Sequence, residues 1–378
     1  MTTVLAQPAT RVRLAYLDNI RIVLTALVLW QHAALTYSTI RIWPYSESRT
    51  DGTATLLDVL VIYNQTFFMG MFFLISGYFT PGSYDAKGGA RFMRDRFVRL
   101  GIPLVVFVVV LRPIFTLWVY WKDYSYLDYR TFYVYSVDTG PMWFVLVLLV
   151  FNVVYYMVRF NREQAGRTVP ERAPVTTPLS LWWLPLLGLA LGVATFVWRI
   201  IVPDGTIWKV VGLPTPSFLV QYVAMFVLGI AAKRRGWFDR LPAGAGWAAG
   251  CLALVSGYGL LMLLDYDHLS PRMQGGVTLL SLAYSTATMV FAVAMICVVL
   301  TAFRTVANRS NRGTTWLAVH GYLVYIIHPP VLVWLAVALA GFGGTMVAKA
   351  GLLFALSLVV CWGLAGLIRA IPGADKVV

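Results

Sequence analysis

Apolar residues gather into ten long runs separated by short polar stretches: 18–39, 56–79, 101–121, 140–158, 180–202, 217–232, 245–264, 277–303, 314–339 and 346–370. An α-helix needs about 20 apolar residues to cross a bilayer. The pattern therefore predicts an all-α, polytopic membrane protein of about ten transmembrane helices. The run at 217–232 is short, and Pro329-Pro330 within 314–339 predicts a kink or break, because proline removes a helical N–H. No repeat of fixed period, low-complexity segment or internal duplication of the kind many transporters carry interrupts the series.

The loops give this pattern a direction. With a cytoplasmic N-terminus, the segments 1–17, 80–100, 159–179, 233–244, 304–313 and the tail from Arg369 hold 20 Lys and Arg residues. The opposite loops hold 7: Arg41, Arg49, Lys122, Arg130, Lys209, Arg272 and Lys349. Positive charge concentrates on the cytoplasmic side of membrane proteins, and here it alternates correctly across every run. Both termini are expected to be cytoplasmic. The stretch "FTLWVYWKDYSYLDYRTFYVY" at 115–135 places Trp and Tyr at the outer interface, where amphipathic rings settle. The expected organisation is a cytoplasmic segment 1–17, a transmembrane domain 18–370 and a cytoplasmic tail 371–378, with the first run a retained span rather than a signal peptide.

Composition narrows the class further. Only 12% of the 378 residues are charged and 59% are hydrophobic, with a mean hydropathy of +0.73; soluble domains carry about 25% charged residues. No stretch is polar and long enough for a separate soluble domain. The net charge of +14 lies in membrane-flanking loops, which favours lipid headgroups and anionic ligands over nucleic acid. Cys251, Cys297 and Cys361 sit in apolar runs without metal-ligand spacing, so neither a disulfide framework nor a metal site is expected. No phosphate-cradling glycine loop is present, nor a carboxylate dyad. Ser76-Gly77 lacks the Gly-x-Ser-x-Gly setting of a nucleophile and reads as close helix packing or a bend.

The candidate chemistry lies in polar residues inside the apolar runs, which are costly there and so point to function. Arg21 and His32 are eleven positions apart, about 20° from three full turns and about 16 Å along a helix. They share one face, with Asp18 and Thr25 near the same stripe. Arg21 alone would read as a snorkelling arginine beside Asp18, and His32 alone as an interhelical hydrogen-bonding group. Together they suit a long ligand with an anionic head and a reactive tip. In the second run Asn64 and Gln65 either face a cavity or bond another helix. Arg91, Arg94, Arg96 and Arg99 crowd onto an expected interfacial amphipathic helix whose apolar side is Phe92, Met93, Phe97 and Leu100. It is either a lipid anchor or a guanidinium cluster for phosphate. Trp143 opens the fourth run near the outer surface. His320 and His328 in "HGYLVYIIHPP" are about 80° apart around a helix and do not form a metal pair. His328 reads as a hydrogen-bonded group beside the site, and His268 as a solvated loop residue.

The segments "LDNIRIVLTALVLWQHAALTYS", "FFMGMFFLISGYFTPGS", "KGGARFMRDRFVRLGIPL", "GPMWFVLVLLVF" and "YLVYIIHPPVLV" resemble, in order, those of the acyltransferase 3 family of integral membrane O-acyltransferases. The resemblance runs from about residue 14 to 340. The family's Arg, ten residues, His motif is met by Arg21 and His32, and its Arg-x-x-Arg element by Arg91 and Arg94. The first span is worded most like the glucan succinyltransferase branch. The resemblance implies acyl transfer (acetyl, succinyl or similar) from cytoplasmic acyl-CoA, a cosubstrate rather than a bound cofactor, to a hydroxyl of a saccharide or glycosylated acceptor at the outer face.

On that expectation Arg21, Arg91 and Arg94 hold the donor, and Asn64, Gln65, Trp143 and His328 contact substrate. His32 is the general base or itself becomes acylated. The implied partners are acyl-CoA, a carbohydrate or glycosylated small molecule, and membrane lipids, with a homodimer possible and a multi-pass inner-membrane location. The rival reading is a transporter exporting a saccharide or lipid-linked glycan without acyl-transfer chemistry.

Overall fold

The structure is a computed structural model that describes residues 14–47, 51–167, 180–374 and 377. Most of the expected segment 1–17, part of the loop 159–179 and part of the tail lie outside the described residues. Among the described residues, ten helices are long and apolar enough to cross a membrane: α1 Ala15–Tyr37, α2 Ala54–Lys87, α3 Gly89–Tyr124, α4 Trp143–Gln164, α5 Trp183–Ile201, α6 Leu219–Arg235, α7 Ala245–Asp267, α8 Leu279–Val306, α9 Arg312–Ala338 and α10 Met346–Arg369. No strand occurs among the described residues. The ten correspond to the ten apolar runs, each end lying within a few residues of the expectation except in α2, α3 and α4. The face where α1 begins and α10 ends is called here the terminal face, and its opposite the distal face.

The polar character of α1 is explained by its central place. It packs against α2, α8, α9 and α10, so its polar side chains meet protein rather than lipid. Buried Asn64 of α2 donates to Gln31 Oε1 at 2.8 Å and to the Leu27 carbonyl at 3.3 Å, and Gln31 donates to the Val61 carbonyl at 3.3 Å. These bonds join α1 to α2 where no water competes. At the terminal face Asn19 donates to the carbonyls of Ala307 and Arg309, just past the end of α8. At the distal face Lys349 Nζ lies 2.6 Å from Glu47, tying α10 to the α1–α2 loop.

Helices α2 and α6 cross in backbone contact at two glycines. A Cβ on Gly77 would lie 2.1 Å from the Phe226 carbonyl oxygen, and one on Gly229 would lie 2.1 Å from that of Leu74. The expectation of close packing at Ser76-Gly77 holds for Gly77. Small residues let helices approach in this way where lipid gives no hydrophobic drive between them.

Two expectations change. The basic stretch after residue 87 is not a separate interfacial helix: after Gly88, at φ +75°, it forms the first turns of the spanning helix α3. Phe97 consequently faces outward while Phe92 and Leu100 are buried. Secondly, of the kink or break expected at Pro329-Pro330, the break does not occur: α9 runs on to Ala338. Proline 329 has no N–H for the Tyr325 carbonyl; His328 Nδ1 takes that place at 2.6 Å. The same device recurs at Pro103 of α3, where the Arg99 carbonyl accepts from the Tyr322 hydroxyl at 2.8 Å. Pro329 and Pro103 thus each free a carbonyl that a side chain of α9 then satisfies.

Candidate active site

Three arginines, Arg21, Arg112 and Arg199, fall in or at the edges of the apolar runs and in neither set of loops, and two of them serve the distal loops. Arg112 is buried, 3.1 Å from Asp138, and also donates to the Ser136 carbonyl. Arg199 is fully buried, 3.2 Å from the Ser285 hydroxyl and 3.5 Å from Asp204. Arg21 is different: its side chain is 44% exposed, 3.7 Å from Asp18, and it lines a cavity.

That cavity, about 480 Å³, opens among α1, α2, α3, α4, α9 and the end of α10. Arg21, Arg96, Arg99 and Arg369 bring four guanidinium groups to its walls, with Asp18 as a carboxylate among them. It follows α9 from Ala318 to Tyr325, about 10 Å of helix. Ser76, Thr80 and Asn152 add polar atoms among Phe72, Phe79 and Phe144. An arginine-rich mouth over a mixed polar and aromatic shaft suits an anionic, phosphate-bearing head with a slender arm, because planar guanidinium groups bind phosphate oxygens in pairs.

Beyond Tyr325 lie two imidazoles. His32 is half-buried, and its Nδ1 is 2.8 Å from the Val28 carbonyl. A carbonyl only accepts, so Nδ1 carries the proton and the neutral ring presents a lone pair at Nε2. The ring of His328, fully buried, lies 4.9 Å from that of His32. On the other side Trp43 packs at 4.3 Å from His32, and Phe115 stacks on Trp43 at 6.4 Å. An oriented imidazole with a free Nε2 can accept a proton from a hydroxyl.

The structure brings some of the expected residues together and separates others. Arg21 and His32 occupy one face of α1, and His328 touches His32. Arg91 and Arg94 are exposed on the first turns of α3 and do not line the cavity. Arg96 and Arg99 line it instead, on the stripe begun by buried Phe92, at i+4 and i+7. Asn64 is absorbed in the α1–α2 bonds. Gln65 donates to the Tyr222 hydroxyl at 3.1 Å, and Trp143 stacks on the same tyrosine at 5.5 Å. Those two residues form a cluster toward the distal face. His320 bonds the Trp316 carbonyl at 2.7 Å, apart from the pair. Sequence reasoning missed Trp43, which follows a helix end and has no periodic signal. It also missed Arg369 as a cavity residue. The inward phase of Phe92 was the available clue to Arg96 and Arg99.

An arginine-lined cavity and, beyond its end, an oriented imidazole thus lie inside a bundle of long apolar helices. A family model described as an acyltransferase domain matches residues 14–366, and the chain belongs to the acyltransferase 3 family. Among curated relatives, glucans biosynthesis protein C of Salmonella heidelberg (strain SL476) is 25% identical over 343 residues, 84% of this chain and 81% of the relative. The protein of the same name from Escherichia coli O157:H7 is 24% identical over 348 residues, covering 86% and 83%. The resemblance seen in the motifs thus extends across the chain, in the direction of the glucan branch. The protein is a multi-pass membrane acyltransferase.

Proposed function

We propose that this protein transfers an acyl group from cytoplasmic acyl-CoA to a hydroxyl of a saccharide or glycosylated acceptor presented at the outer face, with His32 as general base. The observation that carries the reading is the arrangement along one face of α1: Arg21 at a four-arginine mouth and, about 16 Å further, an imidazole whose Nε2 lone pair is set by the Val28 carbonyl. The terminal face is cytoplasmic on this reading, in keeping with the 20 Lys and Arg residues of its loops. Arg21, Arg96, Arg99 and Arg369 receive the phosphates of the donor, and the thioester arm passes Tyr325. The exposed Arg91 and Arg94 add to the field that draws an anion to the mouth. The acceptor approaches from the distal side, where Trp43 and Tyr45 lie. A glucan-like acceptor is suggested by the name of the curated relatives.

The chemistry balances without a further reactant. His32 Nε2 takes the hydroxyl proton as the oxygen attacks the thioester carbonyl, the carbon–sulfur bond breaks, and the departing thiolate receives the proton from His32. The test uses purified protein with labelled acetyl-CoA or succinyl-CoA and gluco-oligosaccharides. Label transfer and thiol release are expected, and both should fall by at least about 10²-fold in His32→Ala. Saccharide flux into vesicles that survives His32→Ala, with no thioester consumed, would establish the transporter reading instead.

A further inference from the structure

We infer that His328 is the positioning residue that holds the proton His32 acquires: its Nε2 lone pair accepts a hydrogen bond from the His32 imidazolium during transfer. The inference rests on the reading of His32 as base, and begins from an uncompensated atom. His328 is fully buried, and its Nε2 has no hydrogen-bond partner. Leaving a buried acceptor unpaired costs about 1–3 kcal/mol, and a leucine or phenylalanine would avoid that cost.

The tautomer is fixed by the fold. Pro329 cannot donate to the Tyr325 carbonyl, so that oxygen accepts a hydrogen bond from His328 Nδ1–H, with Nδ1 at 2.6 Å. The one ring atom left to act is Nε2, and it bears a lone pair. His32 is held in the same tautomer by Val28. In the neutral state both Nε2 atoms are acceptors and have nothing to exchange, which accounts for the unpartnered His328. Once His32 is protonated its Nε2 becomes a donor, and the two atoms become complementary.

The separation fits. An N–H···N bond of about 3 Å between two imidazole nitrogens needs ring centres about 5 Å apart; the observed distance is 4.9 Å, with the rings tilted by 44°. That spacing admits the bond once the two Nε2 atoms face each other, and a charge-assisted bond is about twice as strong as a neutral one. The other rings packed on the pair do not compete for this task. Trp43, against His32, can only donate. The Tyr325 hydroxyl, on the ring packed against His328, is directed to the Pro141 carbonyl. Protonation of the base is thereby made easier at the moment of attack, and no fixed carboxylate is needed in the bilayer interior.

The test compares His328→Phe, which fills the space without an acceptor, with His328→Asn, whose side-chain carbonyl can accept. Both are made in the full chain and assayed by thiol release from acetyl-CoA and succinyl-CoA with gluco-oligosaccharides. His328→Phe should lower kcat by about 10- to 100-fold, the equivalent of one hydrogen bond to a charged group, with the donor KM within about threefold. His328→Asn should recover most of that loss. Turnover of His328→Phe within about threefold of wild type, alongside the expected loss in His32→Ala, overturns this role alone. Equal loss in both His328 variants does the same. Undiminished turnover in His32→Ala overturns the base reading and this role with it. A second measurement needs no turnover: in ¹⁵N-histidine-labelled protein in acidified liposomes, a through-hydrogen-bond coupling between the two Nε2 nuclei is expected in wild type and lost in His328→Phe, and its absence from wild type overturns the pairing.

Discussion

Gly229→Ala sets two physical effects of opposite sign against each other. An alanine in a helix interior is favoured over glycine by about 1 kcal/mol, so local propensity alone predicts a more stable protein. The structure predicts the reverse, since the new Cβ would stand 2.1 Å from the Leu74 carbonyl oxygen. Real Cβ contacts essentially never fall below 3.0 Å, so α2 and α6 must part by about 1 Å. The obstacle is a backbone oxygen, which cannot rotate away. Overpacking of this kind costs about 1–3 kcal/mol, enough to outweigh the propensity gain and leave a net destabilisation of up to about 2 kcal/mol. Detergent-titration unfolding in mixed micelles reads the difference. Gly259→Ala on α7 and Gly351→Ala on α10, where a Cβ meets nothing within 4 Å, serve as controls and should be neutral or slightly stabilising. Because α2 supplies Phe72, Ser76 and Thr80 to the cavity, the shift should also slow turnover; a misplacement of about 1 Å is worth up to about 10²-fold. Gly229→Ala as stable as its controls would refute the backbone contact.

Two further outcomes follow from the site and its supports. Arg96→Gln and Arg99→Gln should each raise the donor KM by about 10-fold or more, the scale of a lost charge-assisted bond, whereas Arg91→Gln and Arg94→Gln should change it by less than about threefold at 0.15 M salt; the reverse ranking in steady-state kinetics would place the donor on the outer turns of α3. Lys349→Met leaves Glu47 largely buried without its ammonium partner and should cost about 3 kcal/mol in unfolding, with much of that recovered in the double variant with Glu47→Gln, because removing both charges of a buried pair is far cheaper than removing one.

The ten spans, the concentration of positive charge on alternate loops and the pairing of Arg21 with His32 on one face were legible in the chain alone. Each is local: a run of apolar residues must span or be buried, and eleven helical steps return to the same side whatever surrounds the helix. The phase of the basic stretch after Lys87 was not local. Arg96 and Arg99, rather than Arg91 and Arg94, line the cavity because α3 starts just after Gly88 and buries Phe92, and nothing in a run of arginines states which turn meets a neighbour. Asn64 could equally have faced a cavity; only the position of Gln31 on α1 commits it to holding two helices together.

His328 shows the division most clearly. The sequence places a histidine before two prolines and predicts a helix damaged there. In the folded chain the histidine repairs the helix by donating to the carbonyl that Pro329 leaves free, and the same bond fixes its other nitrogen as a lone pair beside His32. Residue order determined which helix each imidazole occupies and how far along it. Their meeting, 296 positions apart in the chain, depended on α1 packing against α9, a contact between distant segments that no local pattern encodes.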